Sequence, residues 1–411
     1  MSSMIRKSRD RRGARLAAVA LAVGAILLAT MVPTGHDPPL TPLLCLVCGG
    51  KGVADVVSNV ILFMPLGLAL AALGTRRRRA IFAGAALSLC VEFTQQFIPG
   101  RDPSLSDLVF NTTGTALGFA ALRLAPRLID PPAAVASRLA LAAAAFAAGV
   151  LGLTAASFSP AFPESTYYAQ WTPDLRHLAQ YDGTVLDVEL AGLRLPPPRL
   201  DDSPRVARLL RDGQPLRVTA IAGTPPPSLA SIFSIHDDRR REIILIGAEG
   251  DDLVLRVRTR AAALRLDHPD LRLPGALADF RPGDTITITV QRRVGQAGFC
   301  VGLNGGVSCG SSYPVGFGWS LLLYSDRIPK AGGFLLSAGW LAALVAPVAF
   351  WARRRWEAAL AAAILVGALV AAAAGTPAVS FAPADAVGLT AGIAAGLGAR
   401  RLAAGRRRSG R

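Results

Sequence analysis

A polytopic α-helical membrane bundle of about eight helices, interrupted by one all-β sandwich domain, is the architecture this sequence predicts. Three observations lead there: apolar runs of membrane-spanning length at both ends of the 411-residue chain, arginine blocks at the ends of those runs, and period-two patterning over 158–330. With 52% hydrophobic and 18% charged residues, the chain is more apolar than soluble proteins, whose charged fraction is about a quarter. The formal charge of +16 is carried largely by arginines beside apolar runs, a pattern that retains loops on the cytoplasmic side. That placement argues against nucleic acid as a partner.

Helices are expected at about 14–32, 55–74, 80–98, 107–124, 136–157, 331–352, 357–374 and 384–402. The first follows a basic segment, residues 1–13, with Arg6, Lys7, Arg9, Arg11 and Arg12. It resembles a signal peptide, but the apolar stretch is long and lacks a small-residue cleavage site before Pro33, so it reads as a retained helix. Further basic blocks fall at Arg76 to Arg79, at Arg123, Arg127 and Arg138, at Arg353 to Arg355, and in the tail 403–411. All five basic segments land on one side. Both termini are therefore expected in the cytoplasm of a bacterium, with the chain in the inner membrane and loops 33–54, 99–106, 158–330 and 375–383 outside. The membrane part then divides into a five-helix region, 14–157, and a three-helix segment, 331–402.

Over 158–330 the chain reads as short strands bounded by Gly, Pro and Asp: TVLDVEL (184–190), LRVTAIA (216–222), SIFSIHD (231–237), EIILIGA (242–248), DLVLRVRT (252–259), DTITITVQ (284–291) and GWSLLLY (318–324). Seven such strands predict a β-sandwich. AEGDDL (248–253) reads as a hairpin turn; Glu249, Asp251 and Asp252 offer oxygen ligands for Ca²⁺, but a solvated turn is the favoured reading. Cys45 with Cys48, and Cys300 with Cys309, are candidate disulfides on the outer side. Cys90 reads as a small buried residue of a membrane helix. No metal or other cofactor is expected, because no histidine accompanies the C-x-x-C.

Ionisable and amide groups inside a bilayer are costly and mark candidate sites. Asp55 and Asn59 share a face of the second helix; Glu92, Gln95 and Gln96 end the third; Arg101 lies in the connecting loop; Asp107 and Asn111 open the fourth. All of these ends are outer ends in the expected topology, so the groups converge under the outer headgroup layer. Gly114 and Gly118 continue the Asp107 face and allow close helix packing. Two readings stay open: a network that locks helix to helix, with Arg101 pairing Glu92 or Asp107, and a binding pocket. Asp385, Gly392 and Gly396 repeat the spacing of Asp107, Gly114 and Gly118, with Leu389 where Asn111 would fall.

The motifs D-x3-N-x3-FMPLG (55–67), EFTQQ (92–96), RDPSLSD (101–107) and N-x2-G-x3-G (111–118) resemble the VanZ-like family over roughly residues 14–125. The resemblance implies a small cell-envelope membrane protein; one family member is associated with resistance to the glycopeptide teicoplanin. It implies no reaction. The segment 232–259 is similar to concanavalin A-like, laminin-G-like jelly-roll sandwiches, but the paired glutamates of a glucanase of that fold do not occur. The functional expectation is a non-catalytic protein that binds a lipid or lipid-linked glycan headgroup, with a lectin-like or protein-binding sandwich. Its expected partners are membrane lipids, a saccharide and an envelope protein. The alternatives are an enzyme using Glu92 or Asp107 as general base and a transporter, which the clustering of polar groups near one face disfavours.

Overall fold

The computed structural model describes residues 2–33, 52–99, 101, 103–175, 177–266, 269–292, 298–323, 328–376 and 378–408. The chain divides into two compact units, Met1–Ala134 and Val135–Arg411.

The first unit is a four-helix bundle: α1 (Ser2–Met31), α2 (Gly52–Leu73), α3 (Arg77–Gln95) and α4 (Leu105–Ile129). Its core is small and aliphatic-aromatic, built on Ile26, Phe63, Leu66, Val91 and Phe119. The tightest contact is α2 against α4, and glycines make it possible. A Cβ on Gly114 would fall on the Val60 carbonyl, one on Gly118 on the Met64 carbonyl, and one on Gly67 on the Thr115 carbonyl. The two backbones therefore touch, which is how helices associate where lipid removes the hydrophobic drive.

The second unit opens with α5 (Ala133–Phe158) and then leaves the helical pattern for the β domain. One six-stranded antiparallel sheet runs, in spatial order, β4 (Arg199–Leu200), β1 (Tyr167–Trp171), β6 (Ala230–Asp237), β7 (Glu242–Glu249), β8 (Asp252–Val257) and β9 (Leu271–Leu273). The other runs β12 (Gly306–Ser311), β11 (Phe299–Leu303), β10 (Thr285–Gln291), β5 (Leu216–Ile221), β2 (Thr184–Leu190) and β3 (Leu193–Arg194). Alternate residues of each sheet, such as Phe233, Ile235 and Ile246 from one and Val188, Val218 and Ile288 from the other, fill one shared core. The β7–β8 hairpin turns at 250–251, where Gly250 takes φ +56°, and pairs Glu249 with Asp252. A short helix, α6 (Ser203–Arg211), is capped by Asp202 and buries Val206, Ala207 and Leu210.

The helices α7 (Lys330–Trp351), α8 (Arg355–Gly375) and α9 (Pro383–Arg408) complete the unit. The α7–α9 contact repeats the α2–α4 contact: Gly392 lies on the Ala342 carbonyl and Gly396 on that of Ala346. The spacing echo from Asp385 thus corresponds to the same mode of packing. Among the described residues, five helices are long and apolar enough to cross a bilayer: α1 from Arg12, α2, α5, α7 from Ala331, and α8. The helices α3, α4 and α9 fall short of that apolarity.

The expected strand GWSLLLY is not one over its described residues: 315–321 forms a 3-10 turn. Its residues are buried on every side instead of alternating, and Gly318 sits tightly against Thr154 and Trp340, leaving no room for a ladder. A two-stranded parallel pair, β13 (Tyr313–Pro314) with β14 (Val379–Ser380), joins the end of the β domain to the α8–α9 connection. Phe158, the last residue of α5, stacks on Tyr313 with ring centroids 4.6 Å apart. The β domain is thereby fastened to the helices of its own unit at several points.

Candidate functional site

The polar residues singled out from sequence gather mainly at one end of α2, α3 and α4. Ser104 caps α4, its hydroxyl accepting from the Ser106 amide at 3.2 Å. Glu92, buried in α3, accepts the Ser104 backbone N–H at 2.8 Å, so α3 fixes the start of α4. Asp107, one turn in, accepts the side-chain amide of Asn59 on α2 at 2.7 Å. A carboxylate in the first turn also meets the positive end of the α4 dipole. Asn111, a further turn along, donates to Ser88 of α3 at 3.0 Å while its Oδ1 is buried with no hydrogen-bond partner among the described residues. Three acceptor groups thus line the meeting of three helices.

Gln95 and Arg101 serve a different purpose. Gln95 donates to the Thr30 carbonyl at 3.0 Å, and Arg101 donates through Nε to the Val32 carbonyl and through Nη2 to that of Ala29, both at 3.0 Å. Those carbonyls end α1 and have no intrahelical partner, so Arg101 caps that helix. The ion pairing of Arg101 with Glu92 or Asp107 is therefore replaced by helix capping: the guanidinium donates to carbonyls at the end of α1. Asp55, in the first turn of α2, and Gln96, the C-cap of α3, are exposed. Cys90 is also exposed, against the expectation of burial, because its face of α3 turns away from the bundle. Ser88, Ser104 and Ser106 are members that the sequence reading passed over; the S-x-x-D spacing of Ser104 and Asp107 was a signal for a helix start.

In the β domain, Cys300 and Cys309 form a disulfide between β11 and β12. Cys45 and Cys48 lie outside the described residues. Glu249 pairs with Arg272 at 2.5 Å and Asp252 accepts the Gly275 N–H at 2.8 Å, which commits two of the three turn carboxylates to protein contacts. Among the described residues, no group of three His, Cys, Asp or Glu side chains is arranged to hold a metal.

One polar patch of the β domain has no counterpart in the sequence reading. On the face of β6, β7 and β8 turned away from the shared core, Arg256 forms a two-point ion pair with Asp270, at 2.6 and 3.1 Å, and reaches Glu242 at 3.6 Å. His236 is paired with Glu242 in the β6–β7 ladder, and His177, between β1 and β2, is near enough to act on it electrostatically. Burial pushes the Glu242 carboxyl up against the lowering effect of Arg256, and it pushes His236 down. No spacing rule would have found this patch, because its members come from five separate segments.

The fold and the cluster define a polytopic membrane protein with an inserted β-sandwich, its helix ends joined by a buried polar network. Residues 21–126 match the family model described as VanZ/LLP1, so the unit holding this network carries the family likeness. No curated protein and no solved structure matches the chain. The match and the apolar helices make this a membrane protein of the cell envelope.

Proposed function

We propose that the VanZ-like unit binds the glycan headgroup of a lipid-linked envelope precursor at its outer end, without catalysis, and that the β domain contacts a saccharide or an envelope protein on the same side. The orientation rests on the arginine blocks, whose placement puts the Glu92, Asp107 and Asn111 ends opposite the cytoplasm. One observation carries the binding reading: the buried Oδ1 of Asn111, without a partner among the described residues, one turn along α4 from the acceptor Asp107. An acceptor-rich site suits hydroxyl donors, which sugars supply in number. Each unmatched buried acceptor costs about 1–3 kcal/mol, which a hydroxyl would recover. Phosphate recognition is not assigned to Arg101, which is occupied at α1. Glu92 and Asp107 hold helix ends, which argues against either acting as a general base.

Lipid mass spectrometry on the full chain purified in mild detergent tests this reading. A glycosylated lipid should accompany the wild type and be lost from Glu92→Gln and Asn111→Leu at little-changed melting temperature. Unchanged glycolipid in both variants would reduce the network to a lock between helices.

A further inference from the structure

A crevice of about 300 Å³ runs between α5 and α8 in the second unit. Its walls are small and apolar along most of their length, with Ala148, Gly152 and Ala155 on one side and Ala368 and Ala371 on the other, and the hydroxyl residues Ser159 and Thr376 lie where the two helices end. Both helices are apolar enough to cross a bilayer. From Ala148 to Ser159 there are 11 residue-to-residue steps, which at a helical rise of 1.5 Å make the crevice about 16 Å long, comparable with an acyl chain.

The glycine separates this crevice from the packing seams elsewhere in the molecule. At Gly114, Gly118, Gly392 and Gly396 an added Cβ would strike a neighbouring backbone, whereas a Cβ at Gly152 meets nothing within 4 Å. Gly152 therefore does not bring two helices together. It leaves space between them, although glycine inside a helix is less favourable than alanine.

The crevice also carries a cation at one end. Arg260, exposed, begins the 3-10 turn Arg260–Leu264 of the β domain and lines the crevice where α5 and α8 end. Its backbone N–H donates to the Ser159 carbonyl at 2.9 Å, which pins the residue to the end of α5. Among the described residues its guanidinium has no carboxylate within ion-pairing distance. An apolar slot of acyl length headed by a guanidinium at the junction of membrane helix and extramembrane domain complements one class of molecule. We infer that this crevice holds an acyl chain of an anionic phospholipid whose phosphate sits on Arg260. The site lies in the second unit, shares no residue with the VanZ-like cluster and does not depend on the reading given for it.

The competing explanation is that Arg260 only neutralises the carbonyl ends of α5 and α8. Native mass spectrometry of the full chain, titrated with phosphatidylglycerol against phosphatidylcholine, separates the two. The wild type should retain one phosphatidylglycerol with a preference of about fivefold, the effect of about 1 kcal/mol for one cation near an anionic headgroup. Arg260→Ala should abolish the preference, and Gly152→Leu, whose side chain enters open space, should expel the lipid while the melting temperature holds. If Arg260→Ala lowers the melting temperature yet keeps the phosphatidylglycerol preference, the helix-end explanation stands and the lipid site is wrong. If Gly152→Leu keeps its lipid, or instead splits a dimer of the chain with lipid retention unchanged, the crevice is not an acyl site.

Discussion

Asn59 on α2 and Asp107 on α4 meet through a 2.7 Å hydrogen bond between side-chain amide and carboxylate, at the end of the closest helix pair of the first unit. The bond has a charged acceptor in a half-buried setting. Its worth therefore lies between the roughly 0.6 kcal/mol average of bilayer side-chain hydrogen bonds and the roughly 3 kcal/mol of the strongest charged ones. Asn59→Ala should lower the melting temperature of the detergent-purified chain by a few degrees. Asn59→Asp should lower it further near neutral pH, because two carboxylates would then face each other. Equal melting temperatures for the wild type and Asn59→Asp would show that the two side chains do not meet.

The glycines give a sharper contrast. Gly118 rests on the Met64 carbonyl, so even the single methyl of Gly118→Ala must push α4 off α2, and the whole seam that includes Gly114 on Val60 opens with it. Gly24 in α1 has nothing within 4 Å of a Cβ, and Gly24→Ala should be neutral or gain up to about 1 kcal/mol of helix propensity. Thermal denaturation of both variants reads the difference; comparable behaviour would contradict the backbone contact between α2 and α4.

The first unit was legible in the sequence because its constraints are local. Carboxylates and amides four apart on a helix share a face, and glycines at a spacing of four mark a seam. The β-strands from Thr184 to Gln291 were legible for the same reason, since alternation over six or eight residues needs no tertiary information. What the sequence hid was set by partners far away in the chain. GWSLLLY (318–324) resembled a strand because it is apolar, yet Gly318 packs against Thr154 of α5 and Trp340 of α7, and 315–321 forms a 3-10 turn instead. Arg101 looked like a site cation because the unsatisfied carbonyls of Ala29 and Val32, some 70 residues earlier, are invisible to motif spacing. The helix α6 was missed although Asp202 and Pro204 gave its start signal, since a helix of nine residues inside a run of strands has little periodicity to show.

Asp385 supplies the second unit with its own version of the α4 cap. Its carboxylate is fully buried and accepts the backbone N–H of Gly316 at 2.7 Å and that of Ala382, also at 2.7 Å. The first donor belongs to the segment leaving the β domain and the second to the start of α9. Asp385→Asn keeps the shape but turns an N–H₂ towards one of two N–H groups, so one bond is lost and two donors collide. Amide hydrogen exchange should rise at Gly316 and across β13 and β14 while the central strands β6 and β7 stay protected. Unchanged exchange at Gly316 would remove Asp385 from the connection.

Acid should act first on the β domain at His236. Burial lowers its pKa, Asp237 offsets part of the shift, and His177 lowers it further; Glu242, Arg256 and Asp270 are charged groups of the same face. A histidine held below its unfolded value of about 6.5 stays neutral in the folded chain while the unfolded chain takes up a proton. The stabilisation is therefore complete above that value and is lost as pH falls through it towards the folded pKa. Asp237 and Asp182, whose carboxyls are held below the usual carboxylate range, lose their contribution only at more acid pH. The melting temperature of the full chain should thus decline between about pH 7 and 5, and His236→Gln should flatten that decline while leaving the drop below about pH 4 in place. A variant whose profile follows the wild type through both ranges would mean that His236 titrates alike in the folded and unfolded chain.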